Sequence, residues 1–154
     1  MSKQDIPGYM YIWSSRCAIS EDRSIEGKGN FMSIRVLVAD DSSTMRKIII
    51  RALGTLGITE ITEAKDGEVA IQQFPLAPYD LVLTDWNMPA KSGLEVIQAI
   101  RAINTETPII MITTEAEKRR VVEAIQAGVT DYLVKPFEAD DLKQKVSRHC
   151  PSVV

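Results

Sequence analysis

From Ile34 onward the chain alternates five times between a short apolar run and a segment of helical periodicity. The runs are Ile34–Ala39, Glu60–Ala64, Asp80–Thr84, Pro108–Thr113 and Tyr132–Val134. Three of them are almost continuously apolar, as expected of strands buried on both faces of a parallel sheet. The segments Ser43–Leu56, Gly67–Phe74, Gly93–Ile103, Glu115–Ala127 and Ala139–Arg148 read as helices. In the first, Met45, Ile48, Ile49, Ala52, Leu53 and Leu56 recur at three- and four-residue spacing and mark one buried stripe. Ser42 or Ser43 can cap its start. Gly57 and Gly128 suit the left-handed position that follows the first and fourth helices. Right-handed crossovers then lay helices on both faces of a five-stranded parallel sheet, a doubly wound α/β fold.

Residues 1–33 lack any such period. They hold scattered aromatics (Tyr9, Tyr11, Trp13) and a Gly/Ser/charge-rich stretch from Ser20 to Gly29. They are predicted to form a poorly ordered extension, whether a leader, an upstream start or a genuine tail. Residues 34–149 form the predicted folded domain, and 150–154 a short tail. The net charge of −3 argues against nonspecific nucleic-acid binding, which needs a basic face. Cys17 and Cys150 have neither metal nor redox spacing and read as reduced thiols. No apolar run approaches the roughly 18 residues of a membrane span. The first ten residues lack the pattern of a signal peptide, so a cytoplasmic location is expected by default.

Polar groups stand at or just beyond the C-terminal ends of four runs: Asp40-Asp41, Asp85, Thr113 and Lys135. In a parallel sheet those ends share one edge, where open α/β folds bind ligands. Two adjacent carboxylates repel unless a cation lies between them. Mg²⁺ takes hard oxygen ligands and keeps several waters, so one or two carboxylates and a phosphate suit it. A helix N-terminus also attracts negative charge and would explain Asp40-Asp41 alone, but not Asp85 at a neighbouring strand end. A carboxylate such as Asp85 can attack phosphorus once charge repulsion is screened. Lys135 can pair with Asp85 at rest and with phosphoryl oxygens afterwards. Pro136 holds Lys135 in extended geometry and allows a cis Lys135–Pro136 bond. Thr113, or alternatively Thr114, can donate its hydroxyl to a phosphoryl oxygen. Tyr132 on its own reads as a half-buried core ring. His149 reads as a helix-end cation, and Lys118-Arg119-Arg120 as a solvated helix face.

Asp40-Asp41, Asp85, Thr113 and Lys135-Pro136, with Pro89 and Gly93, resemble the receiver domain of bacterial two-component response regulators. The resemblance spans about Ile34 to Arg148. It implies the flavodoxin-like strand order 2-1-3-4-5, which is known for the family and is not read from spacing. Asp40-Asp41-Ser42-Ser43-Thr44-Met45-Arg46, Asp85-Trp86-Asn87-Met88-Pro89 and Tyr132-Leu133-Val134-Lys135-Pro136-Phe137 are similar, within the family, to the stand-alone chemotaxis receivers. The resemblance implies that Asp85 takes a phosphoryl group from a histidine kinase. It implies Mg²⁺ held by Asp41, Asp85 and the Asn87 carbonyl, with Asp40 acting through water. It implies a switch formed by Thr113 and Tyr132, the ring turning inward after phosphorylation. Asn87 and Glu115 fall at the positions that tune self-dephosphorylation. Ala116, Lys118, Tyr132 and Lys145 fall on the partner face. Ile125 stands where a small residue is expected and Ser42 where a phenylalanine is expected; Arg119-Arg120 make the fourth helix more basic.

The resulting expectation is a monomeric phosphoacceptor rather than an enzyme. It assists its own phosphorylation and dephosphorylation, and signals to a flagellar motor switch protein or meets a phosphatase. The alternative is a stand-alone receiver in another phosphorelay or in kinase regulation. A haloacid-dehalogenase-like phosphatase would need a second acid two residues after the nucleophile, where Asn87 stands. An FMN binder would need a Ser/Thr/Gly-rich phosphate loop after the first strand, where Asp40-Asp41 would repel the ligand.

Overall fold

The computed structural model describes residues 33–114 and 120–151. In chain order it forms β1 (Arg35–Ala39), α1 (Ser43–Gly54), β2 (Glu60–Ala64), α2 (Gly67–Gln73), a 3-10 turn (Phe74–Leu76), β3 (Leu81–Asp85), α3 (Gly93–Ile103), β4 (Ile109–Thr114), α4 (Val121–Ala127), β5 (Asp131–Lys135) and α5 (Ala139–His149). All five strands pair in parallel, in the order β2-β1-β3-β4-β5. This is the doubly wound arrangement expected from the alternation of runs, in the flavodoxin-like strand order that the resemblance implies.

Side chains alternate across the sheet, and each face buries its own set. Leu37, Val82, Met111 and Trp86 pack with Phe74 and with Ala70 of α2, Val96, Ile97 and Ile100 of α3, and Ala124 of α4. Val36, Val38, Leu83, Ile110 and Ile112 pack with Ile49 and Leu53 of α1 and Leu142 and Val146 of α5. Each large side chain buried this way stabilises the fold by about 1.5–3 kcal/mol. The three interior strands β1, β3 and β4 are those whose sequences read as continuous apolar runs. β2 and β5 lie at the edges and are more exposed.

Local signals fix the helix starts. Ser42 caps α1 by accepting from the Met45 N–H, and Asp66 caps α2 by accepting from Val69. Ser92 and Glu95 form a reciprocal capping box on α3. Several ends differ from expectation, most of them by one residue: β5 spans Asp131–Lys135 instead of Tyr132–Val134, and two ends bear on the site or its support. β3 runs on to include Asp85, and α1 stops at Gly54, not Leu56. The Thr55 hydroxyl bonds the Ala52 carbonyl at 2.7 Å and tightens the last turn. The chain then reverses through Gly57 at φ 85°. Gly128, at φ 108°, closes α4 as expected. The expected beginning of that helix at Glu115 lies outside the described residues, as do Ala116, Lys118 and residues 1–32.

Candidate functional site

The C-terminal ends of β1 and β3 bring three carboxylates together. Asp40, Asp41 and Asp85 each offer an oxygen within 4.8 Å of the others. Asp40 and Asp85 are buried, while Asp41 is exposed and faces solvent. Every polar group of Asp40 is held. Its N–H donates to the Ala64 carbonyl at 3.1 Å, and its carbonyl accepts from Arg46 Nη1 at 2.6 Å. Its Oδ1 accepts from the Ser42 N–H at 2.8 Å, and its Oδ2 lies 3.4 Å from Lys135 Nζ.

Asp85 ends β3 in register with Ile112 of β4. Its Oδ1 accepts from the Trp86 N–H at 2.8 Å and lies 3.3 Å from Lys135 Nζ. Lys135 reaches across from the end of β5, where it is in register with Thr114, and its bond to Pro136 is cis. One ammonium thus serves two buried carboxylates. Burial, and next the Asp40 charge, push the Asp85 carboxyl up from 3.8 to about 6; Lys135 and the Trp86 N–H oppose the rise. The donor set is all oxygen, open on the Asp41 side and short of positive charge. These residues fit a hard divalent cation such as Mg²⁺.

The loop after β3 depends on two close approaches. A Cβ on Gly93 would sit 2.1 Å from the Asp85 carbonyl oxygen, and one on Gly67 would sit 2.0 Å from that of Lys91. The Gly93 N–H donates to the Trp86 carbonyl at 2.8 Å, which folds the loop back on the strand end. Asn87 lies exposed in this loop, just past Asp85.

Thr113 is buried near the end of β4, and its hydroxyl lies 3.4 Å from the Thr114 carbonyl. It stands two residues beyond Met111, whose partner on β5 is Tyr132. Alternation therefore places Thr113 and Tyr132 on one sheet face, and Thr114 on the other. Tyr132 is half-buried against that face's core. Lys145 Nζ lies 5.7 Å from its ring centroid. Glu115, Ala116 and Lys118 lie outside the described residues.

Three groups escaped the sequence reading. The Arg120 guanidinium lies 4.5 Å from the Trp86 ring centroid, over a side chain that is buried. Arg46 bridges Glu63 and the Asp40 carbonyl. Asp131 gathers Lys145 and His149, each at 2.9 Å, and Arg148 at 3.5 Å. Burial alone would raise the Asp131 carboxyl; hydrogen bonds from Lys145, His149 and the Tyr132 N–H hold it below its ordinary 3.8. The four-residue spacing of Lys145 and His149, which puts both on one face of α5, was the available signal.

Residues 36–147 match the response regulator receiver domain family. The chain is 42% identical to chemotaxis protein CheY of Pseudomonas aeruginosa, over 75% of this chain and 94% of that protein. It is 46% identical to chemotaxis protein CheY1 of Helicobacter pylori, over 73% of this chain and 94% of that protein. Among solved structures, chemotaxis response regulator CheY4 of Vibrio cholerae superposes with a TM-score of 0.71 at 33% identity, covering 77% of this chain and 99% of that one. The receiver domain of the Francisella response regulator 1452 does so with a TM-score of 0.71 at 30% identity, covering 79% and 100%.

Proposed function

Because the chain belongs to the response regulator receiver family, we propose that it is a phosphorylation-activated, CheY-like signalling protein whose phosphoacceptor is Asp85. The observation that carries this reading is the position of Asp85, buried at the C-terminal edge of the sheet within reach of two other carboxylates and 3.3 Å from Lys135. With its carboxyl at about 6, Asp85 is mostly ionised at neutral pH and able to act as a nucleophile.

In the proposed reaction an Asp85 oxygen attacks the phosphorus of a phosphohistidine on a histidine kinase. The new P–O bond forms as the P–N bond breaks, and the electron pair leaves with the ring nitrogen. An acyl phosphate remains on Asp85. Asp41, Asp85 and the Asn87 carbonyl would hold Mg²⁺, with Asp40 acting through water; the ion supplies charge neutralisation for the transferring group. Lys135 exchanges part of its pairing with Asp85 for a phosphoryl oxygen. The Thr113 hydroxyl donates to another and leaves space on its own sheet face, which the Tyr132 ring can enter. Asn87 and Glu115 set how readily water reaches the acyl phosphate. The protein acts as a phosphoacceptor rather than as an enzyme on a separate substrate.

The phosphoryl group adds nearly two negative charges, and the signal leaves through the face that carries Tyr132 and Lys145; the family resemblance assigns Ala116 and Lys118 to the same partner. Its resemblance to chemotaxis proteins supports a flagellar switch protein as the partner and the cytoplasm as the setting. Intact mass after incubation with acetyl phosphate and Mg²⁺ tests the chemistry. One phosphoryl mass should appear in the wild type. It should be absent in EDTA and in Asp85→Asn. No gain in the wild type would overturn the reading. Binding of a flagellar switch peptide only after phosphorylation tests the partner, and equal binding in both states would count against it.

A further inference from the structure

We infer that Arg46 is a positioning residue for the divalent-cation site, acting through the main chain of Asp40 in concert with Glu63. The inference rests on the metal-site reading above and extends it to a residue that touches neither the ion nor the phosphoryl group.

Arg46 lies one turn into α1, and its side chain turns back toward the sheet. Its Nη1 donates to the Asp40 carbonyl at 2.6 Å and its Nε to Glu63 Oε1 at 2.7 Å. The side chain is only 15% exposed. The β1–β2 register sets Glu63 beside Val38, and Ala64 receives the Asp40 N–H. The guanidinium fork is therefore anchored on β2 at one prong and grips the β1–α1 turn with the other. A planar fork of fixed angle can satisfy both partners at once; a lysine ammonium is a point donor on a flexible stem and cannot reproduce that geometry.

The grip matters because of what else holds Asp40. Its carboxylate is shared between the Ser42 N–H and Lys135. Rotation of the Asp40 peptide would move that carboxylate and, through the next bond, the exposed Asp41. Metal sites depend on such outer supports, because ligands must meet a small ion at fixed distances.

This role predicts an effect opposite in sign to simple electrostatics. Arg46 is a cation beside a cation site. If its charge were all that mattered, its removal would tighten Mg²⁺ binding. If it positions the turn, its removal weakens binding.

The experiment is a Mg²⁺ titration of the full-length chain carrying Trp13→Phe, followed by Trp86 emission and by calorimetry. Arg46→Gln and Arg46→Lys should each raise the Kd on the order of tenfold. Lys47→Gln, an exposed charge on the adjacent residue, should leave it unchanged or lower it. Thermal unfolding in EDTA checks that each variant folds. If Arg46→Gln does not fold, Arg46→Lys carries the same comparison. Unchanged or tighter binding by Arg46→Gln would overturn the inference, as would Arg46→Lys equal to wild type. A wild type in which neither emission nor heat responds to Mg²⁺ would overturn the metal reading itself, a failure visible before any Arg46 variant is made.

Discussion

Ionised Asp85 is opposed by burial and by the Asp40 charge, so folding disfavours its charged form. A carboxyl raised in the folded state contributes stability below its unfolded value of 3.8 and loses it as pH rises through about 6. That rise corresponds to about 3 kcal/mol. Asp85→Asn should therefore stabilise the protein in EDTA by up to that amount at pH 8 and by almost nothing at pH 4. Urea unfolding at the two pH values measures it, and an equal gain at both would show that the effect is not ionisation. A second residue is constrained by space instead of charge. In Gly93→Ala the new Cβ would meet the Asp85 carbonyl oxygen and the Trp86 Cα. Both are backbone and cannot swing aside. The substitution should cost about 1–3 kcal/mol and weaken Mg²⁺ binding together with stability, whereas Asp85→Asn should lower binding while raising stability. Chemical unfolding and a Mg²⁺ titration on the same two variants separate these outcomes.

At the scale of elements, the ends of β5 and α5 meet at Asp131. Lys145, Arg148 and His149 all come from the last turns of α5, and Asp131 opens the strand. Asp131→Asn removes the charge from a half-buried site and leaves Lys145 and His149 poorly paired. It should destabilise by about 1–3 kcal/mol at pH 7. Because the Asp131 carboxyl is held below its ordinary value, its contribution is present above 3.8 and fades as pH falls below that. The wild-type and Asn proteins should accordingly converge in acid, which unfolding curves at pH 7 and pH 3 would test. The same cluster shows where sequence reading stops. β1, β3 and β4 are legible because burial on both faces leaves a nearly continuous apolar run, and the carboxylates at the ends of β1 and β3 are legible as interruptions. β5 was read from Tyr132 because Asp131 looks like a loop acid. What keeps it in the strand lies 14 and 18 residues away on α5. The Arg46–Glu63 bond likewise spans 17 residues and two elements. The sequence pattern ends β3 at Thr84 for a related reason. Asp85 is held at the end of the ladder by the Trp86 N–H and by Lys135, which reaches it from fifty residues on.

For the whole molecule, a cation at the acidic edge would link folding, metal and protons in one system. A ligand that binds only the folded state adds stability of RT ln(1 + [L]/Kd), about 2.7 kcal/mol at one hundred times Kd. For a domain of this size, 1 kcal/mol moves the midpoint by roughly 4 °C or more. Mg²⁺ at that concentration should raise Tm by about 10 °C at pH 8. The proton competes for the same carboxylate. Below pH 6 the buried Asp85 is mainly protonated in the absence of metal, and Mg²⁺ must displace that proton to use it. Each pH step below 6 therefore weakens apparent binding by up to tenfold, and the Tm gain at the same total Mg²⁺ should fall to about half by pH 5. Ca²⁺, which also prefers oxygen ligands, should follow the same pH course, because the competition lies in the protein and not in the ion. Differential scanning fluorimetry across pH 5–8 with EDTA, Mg²⁺ and Ca²⁺ makes the comparison. A gain undiminished at pH 5, or one that survives in Asp85→Asn, would place the cation elsewhere on the surface, away from the three carboxylates. A gain that follows Asp85 would establish that the charge opposed by folding is the one the ion relieves. A partner that prefers the phosphorylated form would then act on the same linked equilibrium, raising at saturation the ratio of phosphorylated to unphosphorylated form by the factor through which phosphorylation raises its own affinity.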